Sequence, residues 1–129
     1  INLPDNASTF TVEAGGSVTI SKPTATGLSL NGTVQIDGSL AISDGQSFAV
    51  VQASAQDFVI GADGVVTITN NVGAGLTRTG ITGRLVNDGI LVLAGNNQST
   101  TTDFYTIENG AQSVLRSDGT LRGEVVFDA

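Results

Sequence analysis

No cysteine, histidine, methionine or tryptophan occurs in the 129 residues. Without cysteine there is neither a disulfide framework nor a thiolate metal site. The loss of histidine removes the commonest general base and metal ligand. An enzyme is therefore not expected, and no catalytic residue, cofactor or metal is assigned. Lysine is nearly missing too. Lys22 stands with Arg78, Arg84, Arg116 and Arg122 against 12 acidic residues, giving a net charge of −7. Scattered cations of this kind do not build the basic patch that nucleic acid or an anionic membrane face requires. The longest apolar run, Ile90 to Ala94, is far too short to insert across a membrane. Charged residues make up 13% of the chain, against roughly 25% in an ordinary soluble domain. Low charge, an acidic balance and the lack of oxidisable Met and Cys resemble secreted, cell-surface proteins. Ile1 opens the chain with no basic or apolar leader, which reads as a processed chain or a piece of a larger one.

What is abundant is a spacing. An apolar residue is followed four positions on by Gly, then by apolar residues at six and eight. Leu28/Gly32/Val34/Ile36 and Val34/Gly38/Leu40/Ile42 overlap within one stretch. The same spacing returns at Val12/Gly16/Val18/Ile20, Ile60/Gly64/Val66/Ile68 and Leu85/Gly89/Leu91/Leu93, and more weakly at Leu115/Gly119/Leu121 and Leu76/Gly80/Thr82. Alternation with period two is the mark of half-buried strands.

Parity favours one way of connecting these strands over a two-residue hairpin, while a three-residue hairpin loop would also restore the phase. A two-residue hairpin at Asp37-Gly38 would put Ile36 opposite Ser39 and send the two apolar pairs to opposite faces. A chain that bends at Gly38 and continues keeps Val34, Ile36, Leu40 and Ile42 in one core, as a solenoid corner does. Asn31, Asp37, Asp63, Asp88 and Asp118 precede pattern glycines. Such residues tolerate turn conformations, and Gly supplies positive φ. Gly16, Gly32, Gly38, Gly64, Gly89 and Gly119 are accordingly read as structural turns. Calcium ligation needs about six oxygens from closely spaced acids, which this spacing does not provide.

Residues 1–8 read as an arm and 9–129 as a single all-β domain. Strands are expected at Thr9–Glu13, Ser17–Ser21, within Gln46–Phe58, and at Tyr105–Ile107, Ser113–Arg116, Thr120–Arg122 and Glu124–Phe127. Asn70–Gly83 reads as turn-rich. FVIGADGVVTI echoes FTVEAGGSVTI 48 positions earlier, and GRLVNDGILVL echoes GTVQIDGSLAI. Val18, Ile42, Val66, Ile90 and Val114 stay apolar at intervals of 24, as do Val12, Ile36 and Ile60 before a slip at Arg84 and Leu85. The expected fold is a parallel β-solenoid of about five coils of roughly 24 residues. The alternative is an antiparallel β-sandwich or jelly roll.

The runs VNDGILVLAG, NGTVQIDGSLAI and IGADGVVTI, within Phe10 to Leu121, resemble the repeats of β-helical surface proteins of the filamentous-haemagglutinin and autotransporter-passenger type. The resemblance implies an extracellular, elongated, right-handed parallel β-helix. It carries over no functional residue.

Asn6 and Asn97 sit in acceptor triplets for N-glycosylation in expected loops, whereas Asn31 is accounted for by its turn. TxT pairs such as Thr67/Thr69 and Thr77/Thr79 do not recur once per coil in register, as an ice-binding array requires. The stronger candidates are strand edges. Phe10 and Val12 near one end, and Val125 and Phe127 near the other, lie in segments lacking the Lys or Pro that blunts an open edge. The expected function is an extracellular structural subunit whose partner is itself, assembling by strand addition into a fibre, sheath or surface array. Alternatives are an adhesin or carbohydrate-binding module with surface glycans as partner and, third, a β-helical hydrolase.

Overall fold

The computed structural model describes residues 2–3, 9–21, 28–30, 32–43, 49–53, 57–70, 74–78, 84–95, 106–117 and 125–127. Its regular structure is all β, with no helix among the described residues. The strands form three sheets. The first contains β1 (Asn2–Leu3), β4 (Leu28–Leu30), β7 (Ala49–Ala53) and β10 (Ala74–Arg78), in that order. The second runs β2 (Thr9–Val12), β5 (Thr33–Ile36), β8 (Phe58–Ile60), β11 (Arg84–Asn87), β13 (Thr106–Asn109) and β15 (Val125–Phe127). The third runs β3 (Ser17–Ser21), β6 (Ser39–Ser43), β9 (Val65–Asn70), β12 (Ile90–Gly95) and β14 (Val114–Ser117).

Every pairing among the described strands is parallel, which removes the antiparallel sandwich. The topology explains the pairing. From β1 to β12 the chain visits the three sheets in rotation, so a strand meets its predecessor only after a long crossover, and crossovers yield parallel ladders.

The parity reading holds. β5 and β6 belong to different sheets, and Val34, Ile36, Leu40 and Ile42 are all buried in one core. Their columns continue by register. Val34 lies beside Phe10 and Phe58, then Leu85 and Ile107; Leu40 lies between Val18 and Val66, then Leu91 and Leu115. Fully burying such a side chain favours folding by roughly 1.5–3 kcal/mol. The end members Phe10, Val18, Ile20 and Leu115 are only partly buried, since no described strand lies beyond them.

The fixed interval of 24 does not survive throughout. Val12, Ile36 and Ile60 are register partners as expected. In the third sheet, however, Val18 pairs with Leu40, Leu40 with Val66, and Val66 with Leu91. Only Ile90 and Val114 keep the predicted partnership, and they face outward, 39% and 50% exposed. After Gly89 the inward phase falls on Leu91, so a comb at constant interval crosses from one face to the other. The slip at Arg84 is real: Phe58 pairs with Leu85 and Ile60 with Asn87, an interval of 27.

Some segments differ locally. The lead-in arm contributes β1, paired with β4. The stretch read as turn-rich, Asn70–Gly83, contains β10. The strand expected within Gln46–Phe58 is β7, whereas Thr120–Arg122 lies outside the described residues.

Candidate functional site

Two features are candidates for function: the corner between the second and third sheets, and the edge strands of the described sheets. Both follow from how the chain turns from one sheet to the next.

Corners of two lengths alternate. Four residues join β2 to β3 (Glu13–Gly16), β8 to β9 (Gly61–Gly64) and β13 to β14 (Gly110–Ser113); two residues join β5 to β6 (Asp37-Gly38) and β11 to β12 (Asp88-Gly89). Both lengths are even, so inward residues stay inward across either. The longer corners close as β-turns. Gly16 N donates to Glu13 O at 2.8 Å, Gly64 N to Gly61 O at 2.8 Å and Ser113 N to Gly110 O at 3.0 Å. The short corners nest between them: Asp37 N and Gly38 N both donate to Val12 O, and Ser39 N donates to Gly16 O.

This nesting corrects the expected role of the pattern glycines. Among the described residues the positive-φ glycine is Gly15, at 79°. Gly38 and Gly89 are needed for closeness instead. A Cβ on Gly38 would strike the carbonyls of Gly16 and Glu13, and one on Gly89 those of Gly64 and Gly61. Gly16 and Gly64 close four-residue turns. Gly32 is a buried bend before β5, and Gly119 lies outside the described residues.

Each of the first four corners carries one acid: Glu13, Asp37, Asp63 and Asp88. Asp37 accepts from Gln35 Nε2 at 2.7 Å. A shallow groove passes Ser17, Asp37, Ser39 and Asp63. No group of three metal-ligating side chains gathers there or elsewhere among the described residues.

The outer face of the second sheet carries an ionic clasp. Arg84 holds Asp57, the residue before β8, through Nη2 at 2.9 Å and Glu108 on β13 through Nη1 at 2.9 Å. The side-chain hydrogen bond from Arg84 holds the Asp57 carboxyl below its usual range, burial opposing it. The carboxylates in turn raise the pKa of Arg84.

Inside the same sheet, the column Val12–Ile36–Ile60 changes to Asn87–Asn109. Both asparagines are buried. Asn87 Nδ2 donates to Asn109 Oδ1 at 2.9 Å and to Val114 O at 3.1 Å, while Asn87 Oδ1 has no partner. Sequence reading missed this pair, although Asn87 follows inward Leu85 by two, which is the signal that marks it as interior.

The candidate edge residues occupy opposite edges of one sheet. Phe10 and Val12 lie on β2, the first partly buried and the second buried; Val125 and Phe127 lie on β15, where Phe127 is 63% exposed. By register Phe127 continues the column of Ile36 and Ile60, yet no described residue covers it. Asn6 and Asn97 lie outside the described residues. Comparison of the chain with protein-family models, curated proteins and solved structures finds no match.

Proposed function

We propose that this chain is a non-enzymatic extracellular structural subunit, wound as a parallel β-solenoid of about five coils, that self-assembles through its strand edges into a fibre, sheath or array. The rotation of the chain through three parallel sheets supports the solenoid, at intervals of 22 to 27 residues for most partners, such as Leu85 with Ile107 and Phe58 with Leu85. The observation that carries the assembly is that, among the described residues, the end members of the core columns are only partly buried. Phe10, Val18 and Ile20 are incompletely covered at one end, as are Leu115 and Phe127 at the other. Parallel sheets left open at an edge recruit further strands, and a contact between unlike ends repeats without closing. The acidic, Lys-poor composition without Cys or Met supports an extracellular setting.

Size-exclusion chromatography and negative-stain microscopy of the purified chain test the reading. Ordered polymers are expected. A variant lacking residues 124–129, which removes β15, should assemble poorly; assembly equal to that of the full chain refutes the edge model. The alternative, a glycan-binding module, draws on the exposed hydroxyl row Ser17, Thr19 and Ser21 on β3. A monomer that binds a glycan array would favour it.

A further inference from the structure

The outer faces of the second and third sheets differ in charge. Arg84, Asp57 and Glu108 meet on the outside of the second sheet. On the third sheet buried residues alternate with outward ones, and Arg116 is the one charged side chain among the outward positions of its five described strands. No Asp or Glu lies among those positions, although the chain carries 12 acids and a net charge of −7. Two copies that meet across this face keep their excess negative charge away from the contact.

The face is also graded along the stack. On the N-terminal side it bears hydroxyls: Ser17, Thr19 and Ser21 on β3, with Ser39 and Ser43 beside them on β6. On the C-terminal side it is apolar. Val65, Ile90 and Val114 form one column by register, and Val92 stands in the next column beside Thr67. Ile90 is 39% exposed and Val114 50%. Apolar side chains this exposed, contiguous across three strands, mark a contact surface.

The gradient selects one mode of pairing. A two-fold axis along the stack brings the same strand of each copy face to face, so apolar rows meet apolar rows and hydroxyl rows meet hydroxyl rows. An axis along the strands would lay Ser17 over Val114 instead. With the first axis over the middle column, Val92 meets its own counterpart and Ile90 meets Ala94. Large against small lets the two faces interlock. Arg116 shares the column of Val92, and its stem is long enough to carry the charge past the contact.

We propose that the outer face of the third sheet pairs with the same face of a second copy of this chain. The two stacks lie side by side with the same polarity, β12 against β12. The contact is lateral and separate from strand addition at the edges. Five strands about 4.8 Å apart and five residues of about 3.3 Å each give about 400 Å² per copy. The total, about 800 Å², is below the roughly 1,200–2,000 Å² of a stable interface. Single copies therefore pair weakly, whereas copies joined end to end pair cooperatively. No aromatic side chain lies on the face to stack against a sugar ring, which disfavours a polysaccharide as the occupant.

The chain has no Cys, so an introduced thiol is the only one present. Val92→Cys is treated with a short bis-maleimide, and covalent dimer is read on a denaturing gel. The control is Val86→Cys, also partly exposed but on the outer face of the second sheet. Dimer at Val92 should form about tenfold faster or more than at Val86, because pairing raises the effective thiol concentration. Adding Ile90→Asp to Val92→Cys should remove that excess. Equal rates at Val92 and Val86, or an excess that Ile90→Asp leaves unchanged, overturn the proposal. So does a Val92→Cys chain that gives no dimer yet sediments with crystalline cellulose, which would assign the face to a polysaccharide. A readout without any thiol is electron microscopy of the native chain beside Ile90→Asp. Filaments paired side by side in the native chain and single in Ile90→Asp support the face. Filaments that are single in both refute it and leave strand addition standing. Cross-linked dimers from a chain that never forms filaments support the face and refute strand addition.

Discussion

One column of side chains runs through the second sheet, and its two halves are built from different chemistry. Val12, Ile36 and Ile60 fill the lower half; Asn87 and Asn109 fill the upper half at equivalent inward positions. The lower half is stabilised by burial alone, which is non-directional and tolerant of small shifts. The upper half includes an amide hydrogen bond between the two asparagines and one from Asn87 to the Val114 carbonyl, and leaves Asn87 Oδ1 without a partner. A buried orphan acceptor costs about 1–3 kcal/mol. The upper half is therefore the less stable, and it also holds the irregular intervals. Phe58 and Leu85 are 27 apart, Leu85 and Ile107 are 22, and Ile107 and Val125 are 18. Burial fixes the inside of the lower half, while directional bonds fix where β14 must lie in the upper half.

The largest expected effect comes from breaking the apolar half. Ile36→Ala removes a fully buried side chain in the middle of the stack, which should cost about 2–5 kcal/mol by denaturant unfolding. A loss below about 1 kcal/mol would mean that the column collapses around the cavity and is not tightly packed.

The polar half should respond differently. Asn87→Leu leaves Asn109 Oδ1 and Val114 O without their Asn87 donor, and should cost about 1–3 kcal/mol. Asn109→Leu should cost a similar amount. Replacing both at once makes the column apolar throughout and removes the orphan oxygen with its donor. The double variant should therefore lose less than the two single losses together, with coupling of about 0.5–3 kcal/mol. Strict additivity would show that the two amides stabilise the fold independently of one another.

The corners offer the same comparison in backbone terms. Gly38→Ala and Gly89→Ala each drive a methyl into two carbonyls of the neighbouring longer corner, whereas Ala at Gly15 meets open space and only an unfavourable φ. The nested pair should each cost more than Gly15→Ala, whose strain is about 1–2 kcal/mol. A greater loss at Gly15, read as a lower thermal midpoint, would mean that conformation and not closeness governs the corners.

Much of this was legible in the residues, because corners of two and four residues preserve inward parity. The in-phase apolar residues from Val34 to Ile42 mark the corner at Gly38. The 48-residue echo is likewise real: a long and a short corner together make the repeating unit, so FTVEAGG matches FVIGADG and not the stretch between. What failed was the constant interval, since Val66 pairs with Leu91 and not with Ile90. Apolar residues on both sides of a strand match at several offsets, and only backbone pairing selects one. β10 was hidden because AGLTR has little alternation and lies among turn-forming residues. The Asn87–Asn109 pair was hidden because Asn before Asp-Gly reads as turn chemistry, although its parity places it inside.

The smallest effect tests whether the outer face of the second sheet follows the same division between halves. Arg84 on β11 reaches down to Asp57 and up to Glu108, so it spans the boundary where the column changes from apolar to polar. All three side chains are substantially exposed, and solvent and salt weaken such pairs. The Asp57 carboxyl is held below its usual range, so its ionised form favours the folded state at neutral pH. That contribution is present above the unfolded carboxylate value and fades as pH falls through the lowered folded value. Asp57→Asn should therefore be less stable than the native chain near neutrality, and the two unfolding curves should converge as the solution falls below about pH 4. Arg84→Lys, which keeps the charge but loses the two-sided fork, should show a smaller gap with the same pH dependence. A gap that persists unchanged at low pH would assign the effect of Asp57 to packing, and would leave the polar half of the column to hold the boundary by itself.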